Sequence, residues 1–586
     1  MEVNIRPLQS HLLTRAFGQY KKPDGEFAMM NYYHAFLTET AGLNKQFDLY
    51  STWQYVLANG PRIDVSDGVK SNSKAVAIRQ EGNRFFKDRS WADAIEKYNE
   101  SICWAETGSE ELGIGFANRS AVCYEEKSYE LCLLNIMLAR KHNCPDRLAQ
   151  KLAAREQNCR QQIAEGNTKG IVPSPMFAIN VEVNPKIPFM ANGLRMTEFP
   201  AYGRAMISER SFQPGDVILN EKSFITVGDS RYLYLNCNRC VEWKPYNLIP
   251  CPDCVSVMYC SEECRLHDLR TVHRFECGIS AKLKHLHSWL VDMGPKLFFY
   301  GLTLFGDNVD EMKRFCESTK RTGSNPMEVD YSGGTEPLEV FKNLQRVKYT
   351  KVKDAFDKRV MFMASVFYTV YMQTPLVRSL ITTHQHKRFM LHCFMDYMQF
   401  AMHANLFCWD IITGPLFPIA SILNHSCDPN VVTASGLNYI KLVVLKPIAK
   451  GEQIFISYGP VWYQNKDDRK QEKTMSLFRF QCSCVACNPI RLKRWLASQS
   501  QLDDQGKRDL QTVNLLLNND AVPLAAKTDL LQQFVKRNAY THPNEAFCSG
   551  LEVYTEVLYH ALMEEWDTNN RAWAMAEIEA NDRKCQ

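Results

Sequence analysis

The sequence predicts a multidomain α+β protein, helical toward both ends, strand-rich between residues 431 and 457, and braced by zinc. Three observations predict this. The chain has 586 residues, too many for one ordinary hydrophobic core. A helix-like pattern near the N-terminus recurs after 38 residues. Two groups of cysteines stand at metal-ligand spacing, and short alternating runs punctuated by Gly436-Leu437-Asn438 and Lys450-Gly451 separate strands at Val431–Thr433, Lys441–Leu445 and Gln453–Ser457.

Composition narrows the function. The hydrophobic and charged fractions, 45% and 23%, are those of a globular protein. A net charge of +4 supplies no strongly basic face, so it gives no argument for a nucleic-acid partner. Met1 to Tyr20 lacks an apolar core with a cleavage site, so no secretory signal is expected. The longest uncharged stretch, Val360 to Val377, contains Ser365, Thr369, Gln373 and Pro375 and reads as a buried helix rather than a membrane span. The 21 cysteines show no disulfide framework, which suits a reducing compartment, cytoplasm or nucleus.

In chain order, Met1 to Ser71 reads as helices without an evident role. Ala75 to Ala105 and Leu112 to Arg140 read as two helical hairpins, with Arg147 to Ile163 as a further helix; Trp91-Ala92-Asp93-Ala94-Ile95 corresponds to Tyr129-Glu130-Leu131-Cys132-Leu133. Period and small-residue placement resemble tetratricopeptide repeats. Two repeats alone are marginal, so this unit should pack on a neighbour. Some such repeats grip the C-terminal carboxylates of chaperones. By that resemblance Arg79 with Asn83, then Asn118, then Lys151 with Arg155 would form the clamp, each four-residue step lying on one helix face.

The most specific segment follows. Cys237, Cys240, Cys251, Cys254, Cys260, Cys264, His273 and Cys277 fall in 41 residues, as C-x2-C-x10-C-x2-C-x5-C-x3-C-x8-H-x3-C. Zinc favours four thiolate or imidazole ligands, and eight suit two closed, structural sites. The window resembles a MYND zinc finger, and the resemblance implies interleaved pairing: Cys237, Cys240, Cys260 and Cys264 on one ion, Cys251, Cys254, His273 and Cys277 on the other.

A second constellation lies downstream. Asn424-His425-Ser426-Cys427-Asp428-Pro429-Asn430 precedes the strand ending Ile456-Ser457-Tyr458, and then Cys482-Ser483-Cys484-Val485-Ala486-Cys487. The triplet offers three thiolates, and Cys427 is the natural fourth. These motifs resemble a SET methyltransferase domain with its post-SET zinc site. Ala201 to Met206 and Phe212 to Ile218 fit the domain's opening part, so the finger would be inserted within it, the layout of the SET-and-MYND family. The repeats ahead resemble that family's repeat-bearing branch.

The implied organisation is a helical segment (1–70), repeats (71–165), the SET N-terminal part (185–236), the MYND finger (237–277), a helical insert (278–400), the SET core (401–470), a post-SET segment (471–489) and a C-terminal helical domain (490–586). The implied chemistry is methyl transfer from S-adenosylmethionine to a lysine amine of a protein, histone or otherwise. Tyr458 aligns with the tyrosine facing the transferring methyl. Tyr202, Gly203, Arg204, Asn405, Ser421, Asn424, His425 and Phe480 align with cofactor contacts. Phe478 stands where relatives often place a second tyrosine of the lysine channel, and only one glycine, Gly203, marks the N-terminal loop. These two departures support an alternative, a catalytically weak SET-fold adaptor working through its finger and repeats. MYND fingers in relatives bind proline-rich peptides, and the family resemblance implies a monomer. A role in transcriptional regulation is a further expectation.

Overall fold

The computed structural model describes residues 66–586 apart from 168–177, 201–202, 229–231, 286–288, 319–324, 335, 345–354, 405–412, 437, 460, 465–480, 518, 520–521, 559, 562–574, 577 and 580–586. Five antiparallel helices come first: α1 (Asn72–Lys87), α2 (Trp91–Trp104), α3 (Glu110–Glu125), α4 (Tyr129–Lys141) and α5 (Ala149–Ala164). Ser71 caps α1 by accepting from the amide of Lys74, and Arg84 and Lys87 sit in its last turn, where cations complement the helix dipole. Gly82 lets α1 approach α2 closely, since a Cβ there would lie 2.7 Å from the Tyr98 ring. The further helix starts at Ala149 rather than Arg147, because Pro145 opens a 3-10 turn over Asp146–Leu148.

The helices do not close a core by themselves. Ile102, Phe116, Leu131, Leu134 and Leu152 join Leu248, Val257, Met258 and Tyr259 of the cysteine-rich segment in one buried cluster. A buried polar network seals the junction. Arg119 donates from Nε to Asn135 Oδ1 (2.6 Å) and from Nη1 to Asn99 Oδ1 (2.7 Å) and the carbonyl of Leu248 (2.8 Å). Asn99 donates in turn to the carbonyls of Tyr234 and Pro245, and Asn135 to that of Tyr246. Loop carbonyls that would otherwise be buried unpaired are satisfied by helix side chains.

The strands form small sheets. β1 (Leu194–Phe199) pairs with β2 (Gly203–Ser208), antiparallel. β3 (Val217–Lys222) flanks the long hairpin strand β10 (Tyr439–Val444), which pairs with β9 (Val431–Ser435) on its other side. β4 (Ile225–Gly228) pairs with β7 (Thr413–Leu416). β5 (Ile249–Pro250) and β6 (Met258–Tyr259) lie in the finger. β8 (Asn424–His425) runs parallel to β11 (Phe455–Ile456). The last strand is shorter than Gln453–Ser457. Gln453 makes only an isolated bridge to Ile207, and the Ser457 hydroxyl turns back to the carbonyl of Gly459.

Within the finger, α6 (Glu262–Arg270) and α7 (His273–Glu276) follow β6. The insert is helical: α8 (Ser280–His285), α9 (Trp289–Leu304), α10 (Val309–Ser318), α11 (Pro337–Asn343), α12 (Ala355–Tyr371), α13 (Pro375–Leu380) and α14 (His384–Ala404). Phe298, Phe299, Phe367, Tyr371 and Phe394 build its core. A boundary at residue 401 falls inside α14, which runs on to Ala404. The C-terminal part holds α15 (Pro489–Ala497), α16 (Asp504–Leu517), α17 (Leu524–Asn538) and α18 (545–558). Phe534, Phe547 and Leu551 there pack with Val217 and Val443 of the central sheet. Residues 1–65, read as helical from the sequence, lie outside the described residues. Among the described residues no helix is long and apolar enough to cross a membrane.

Candidate functional site: three ligand clusters and the Asn424, His425 and Tyr458 junction

The metal-ligating side chains come together in three sets. They are Cys237, Cys240, Cys260 and Cys264; Cys251, Cys254, His273 and Cys277; and Cys427, Cys482, Cys484 and Cys487, with ligand atoms within 4.8 Å of one another in each set. The first two sets have the interleaved composition that the finger resemblance implies. Four sulfurs about 2.3 Å from one ion stand about 3.8 Å apart. Here Cys240 and Cys260 sulfurs are 3.6 Å apart, Cys260 and Cys264 3.7 Å, Cys427 and Cys482 3.8 Å. The donor chemistry and spacing fit zinc. Local structure sets the ligands: Ser261 caps α6 by accepting from the amide of Cys264, and the Arg239 guanidinium donates to the Cys264 sulfur at 3.8 Å. His267, in the same window, contributes to none of the sets.

The second site is assembled from segments far apart in the chain. The parallel pairing of β8 with β11 places Phe455 against Asn424 and Ile456 against His425, which delivers Tyr458 beside them. Asn424 Nδ2 donates to the carbonyl of Arg204 on β2 (2.8 Å), joining the parts that the finger separates. His425 is buried, accepts the Tyr458 amide at Nδ1 (2.9 Å), and so carries its proton on Nε2, 3.1 Å from the Cys427 sulfur. The Tyr458 hydroxyl donates to the carbonyl of Leu423 at 2.6 Å, and burial pushes its pKa well up, keeping the phenol neutral. Burial draws the Arg204 guanidinium down to about 10, still charged at neutral pH. Gly203 sits at φ +67°, in the left-handed region, and among the described residues a Cβ there would meet nothing within 4 Å. Ser421 donates to the carbonyl of Pro418. Tyr202, Asn405, Phe478 and Phe480 lie outside the described residues.

The sequence reading missed two groups. Glu221, on β3, is 2% exposed and accepts from the amides of Ile419 (2.8 Å) and Ala420 (2.7 Å), holding the turn that leads to Asn424. Burial raises its carboxyl to about 8. A charged residue at an inward-facing strand position was the available signal. Asp428, next to Cys427, collects Lys446 Nζ (2.6 Å), Trp462 Nε1 (3.0 Å) and His542 Nε2 (3.1 Å), tying the C-terminal helices to the third cluster.

Four of the five clamp residues are already engaged within the chain. Arg79 is ion-paired with Glu111, and Asn83 Oδ1 accepts from Tyr98 and Asn118. Arg155 donates to Ser120 Oγ (2.6 Å) and to the carbonyl of Ala117, whereas Lys151 is exposed.

Comparison with known proteins agrees with this arrangement. Residues 203–459 match the SET domain family model. The chain is 22% identical to protein-lysine N-methyltransferase SMYD4 of Mus musculus, over 73% of this chain and 69% of the relative. It is 22% identical to the Gallus gallus protein of that name, over 84% and 80%. It is 24% identical to histone-lysine N-methyltransferase ASHR1 of Arabidopsis thaliana, over 50% and 55%. With the ligand sets of a two-zinc finger set between β4 and the helical insert, these similarities support the SET-and-MYND family of protein-lysine methyltransferases.

Proposed function

We propose that this enzyme transfers methyl groups from S-adenosylmethionine to lysine side chains of protein substrates, with three structural zinc ions holding the walls of the site. The observation that carries the reading is the β8–β11 pairing, which sets Asn424, His425 and Tyr458 side by side next to Arg204. The cofactor supplies a methyl on a cationic sulfur, an electrophile that needs no metal. The chain's own work is positioning and charge stabilisation. Asn424 and the Gly203 backbone bind and orient the cofactor, with Ser421 beside them. The Tyr458 hydroxyl and neighbouring carbonyls, Leu423 among them, provide oxygens toward the reacting carbon. Tyr202, Asn405 and Phe480 complete the cofactor contacts in this reading, and Phe478 lines the lysine channel.

The finger is read as a docking module for proline-rich peptides. The N-terminal helices are read as tetratricopeptide-type repeats, with Lys151 as an exposed cation for an acidic chaperone tail. Lys151→Glu should abolish binding of such a tail peptide; undiminished binding would remove the clamp. Action in cytoplasm and nucleus fits the thiol-rich composition, and a role in transcriptional regulation is part of the same reading.

The test is a calorimetric titration of S-adenosylmethionine into zinc-loaded protein, with Asn424→Ala as control. Saturable micromolar binding, lost in the variant, supports the assignment. Absence of binding by folded protein would favour the adaptor reading.

A further inference from the structure

A cavity of about 310 Å³ lies beside β3, and none of Ser421, Asn424, His425 or Tyr458 lines it. Four of its lining residues are aromatic. Phe189 and Tyr331 meet with ring centroids 5.0 Å apart at 79°, and Phe224 and Tyr300 with centroids 5.3 Å apart at 63°. Both pairs meet edge to face. Tyr331 is held in place at both ends: its amide donates to the carbonyl of Lys186, and its hydroxyl to that of Pro326.

Glu221 is the one carboxylate among the lining residues. Strand alternation turns Glu221 inward, while its neighbour Lys222 is exposed at the edge of the cavity. Two backbone amides occupy one lone pair on each Glu221 oxygen, leaving acceptor capacity on both. A buried carboxylate beside four aromatic rings is a costly arrangement for packing alone. It suits a group that is both cationic and greasy, because ring faces attract cations, and a cation bound beside Glu221 favours the ionised form of a carboxyl that burial otherwise holds up to about 8.

We propose that this cavity is a second binding site of the enzyme, an aromatic cage that takes a methylated lysine side chain of a protein. The site is distinct from the one at Tyr458. It lets the enzyme hold a chain that already carries the kind of group its own chemistry makes, while another lysine is offered to the catalytic pocket.

The test uses full-length, zinc-loaded protein and three small probes: Nε-trimethyllysine amide, lysine amide, and an uncharged analogue with a tert-butyl group in place of trimethylammonium. Binding is followed by calorimetry or by ligand-observed NMR. Saturable binding of the trimethyl probe is expected, weakened at least about tenfold in Tyr331→Ala and in Glu221→Gln. Tyr331→Ala is partly exposed and should fold, which covers the chance that Glu221→Gln does not. Tyr458→Phe should bind the probe as the parent does. Equal affinity for the tert-butyl analogue would overturn the cage in favour of a plain apolar cavity. Probe binding that survives Tyr331→Ala, or is lost in Tyr458→Phe, would overturn it by placing the cation elsewhere. Because no methyl transfer is measured, failure here leaves the catalytic reading standing, and a failed cofactor titration leaves this one standing.

Discussion

His425 accepts the backbone amide of Tyr458 at Nδ1 across 2.9 Å, while its Nε2 stands 3.1 Å from the sulfur of Cys427. One imidazole thus connects the third ligand cluster to Tyr458, the residue proposed to face the reacting methyl. A thiolate fixed on zinc is a fixed acceptor for Nε2–H, and that bond sets both the tautomer and the ring orientation.

Metal removal should therefore reach the active site as well as the fold. A strong chelator is expected to lower the melting temperature sharply and to release about three zinc ions per chain, one for each set of ligands. Differential scanning fluorimetry with a colorimetric zinc assay checks both. An unchanged melt would sink the structural role of the clusters.

Tyr458→Phe should bind S-adenosylmethionine as the parent does but lose most methyl transfer, by at least about 100-fold if the hydroxyl stabilises the transition state. The hydroxyl donates to a backbone carbonyl, that of Leu423, and the ring is kept in the variant, so the fold should stay intact. Calorimetry and a radiolabelled transfer assay separate the two effects. Undiminished turnover would take Tyr458 out of its role.

Arg119→Met keeps the volume but strands Asn99 Oδ1, Asn135 Oδ1 and the Leu248 carbonyl in a dry junction. Breaking such a buried network should cost about 3 kcal/mol. Urea unfolding followed at the tryptophans would show the midpoint fall; a shift of less than about 0.5 kcal/mol would mean that water replaces the guanidinium.

Glu221 gives a pH dependence of known sign. Its carboxyl titrates near 8 in the folded chain against 4.5 unfolded. The folded state then holds a proton that the unfolded state has released. Its contribution to stability is full below about pH 4.5 and is lost as pH rises to about 8, by at most about 5 kcal/mol. Glu221→Gln leaves one of the Ile419 and Ala420 amides unpaired, so it should be less stable than the parent at pH 5, with the gap closing toward pH 8. Melting temperatures across that range decide the matter; a gap that widens with pH would reverse the assignment.

What could be read from the sequence divides along physical lines. Metal ligands are legible because zinc geometry imposes short fixed spacings such as Cys251-x2-Cys254, whereas the contacts of Asn424 with Arg204 and of His425 with Tyr458 need the folded chain. Arg119 and Glu221 are not legible. Each looks like an ordinary surface charge until a distant segment covers it, Leu248 for one and Ile419 for the other. Asp428 is similar: its partners Lys446, Trp462 and His542 lie 18, 34 and 114 positions away and meet only in the folded chain. The strand ending at Ile456 was too short to bound from alternation, because the flanking residues spend their backbone groups on bridges and turns.

The sharing of one core between the N-terminal helices and the cysteine-rich segment bears on how this chain can be cut. A fragment beginning after residue 165 would expose Leu248, Val257 and Tyr259 to water and leave the carbonyls of Tyr234, Pro245 and Tyr246 without donors. The isolated helices would suffer the converse, with Asn99, Arg119 and Asn135 facing solvent from an otherwise apolar surface. Neither piece is a natural unit for expression. Any reagent, protease site or splice that separates them should yield two aggregating halves, and their re-association, rather than either half alone, is where activity would return.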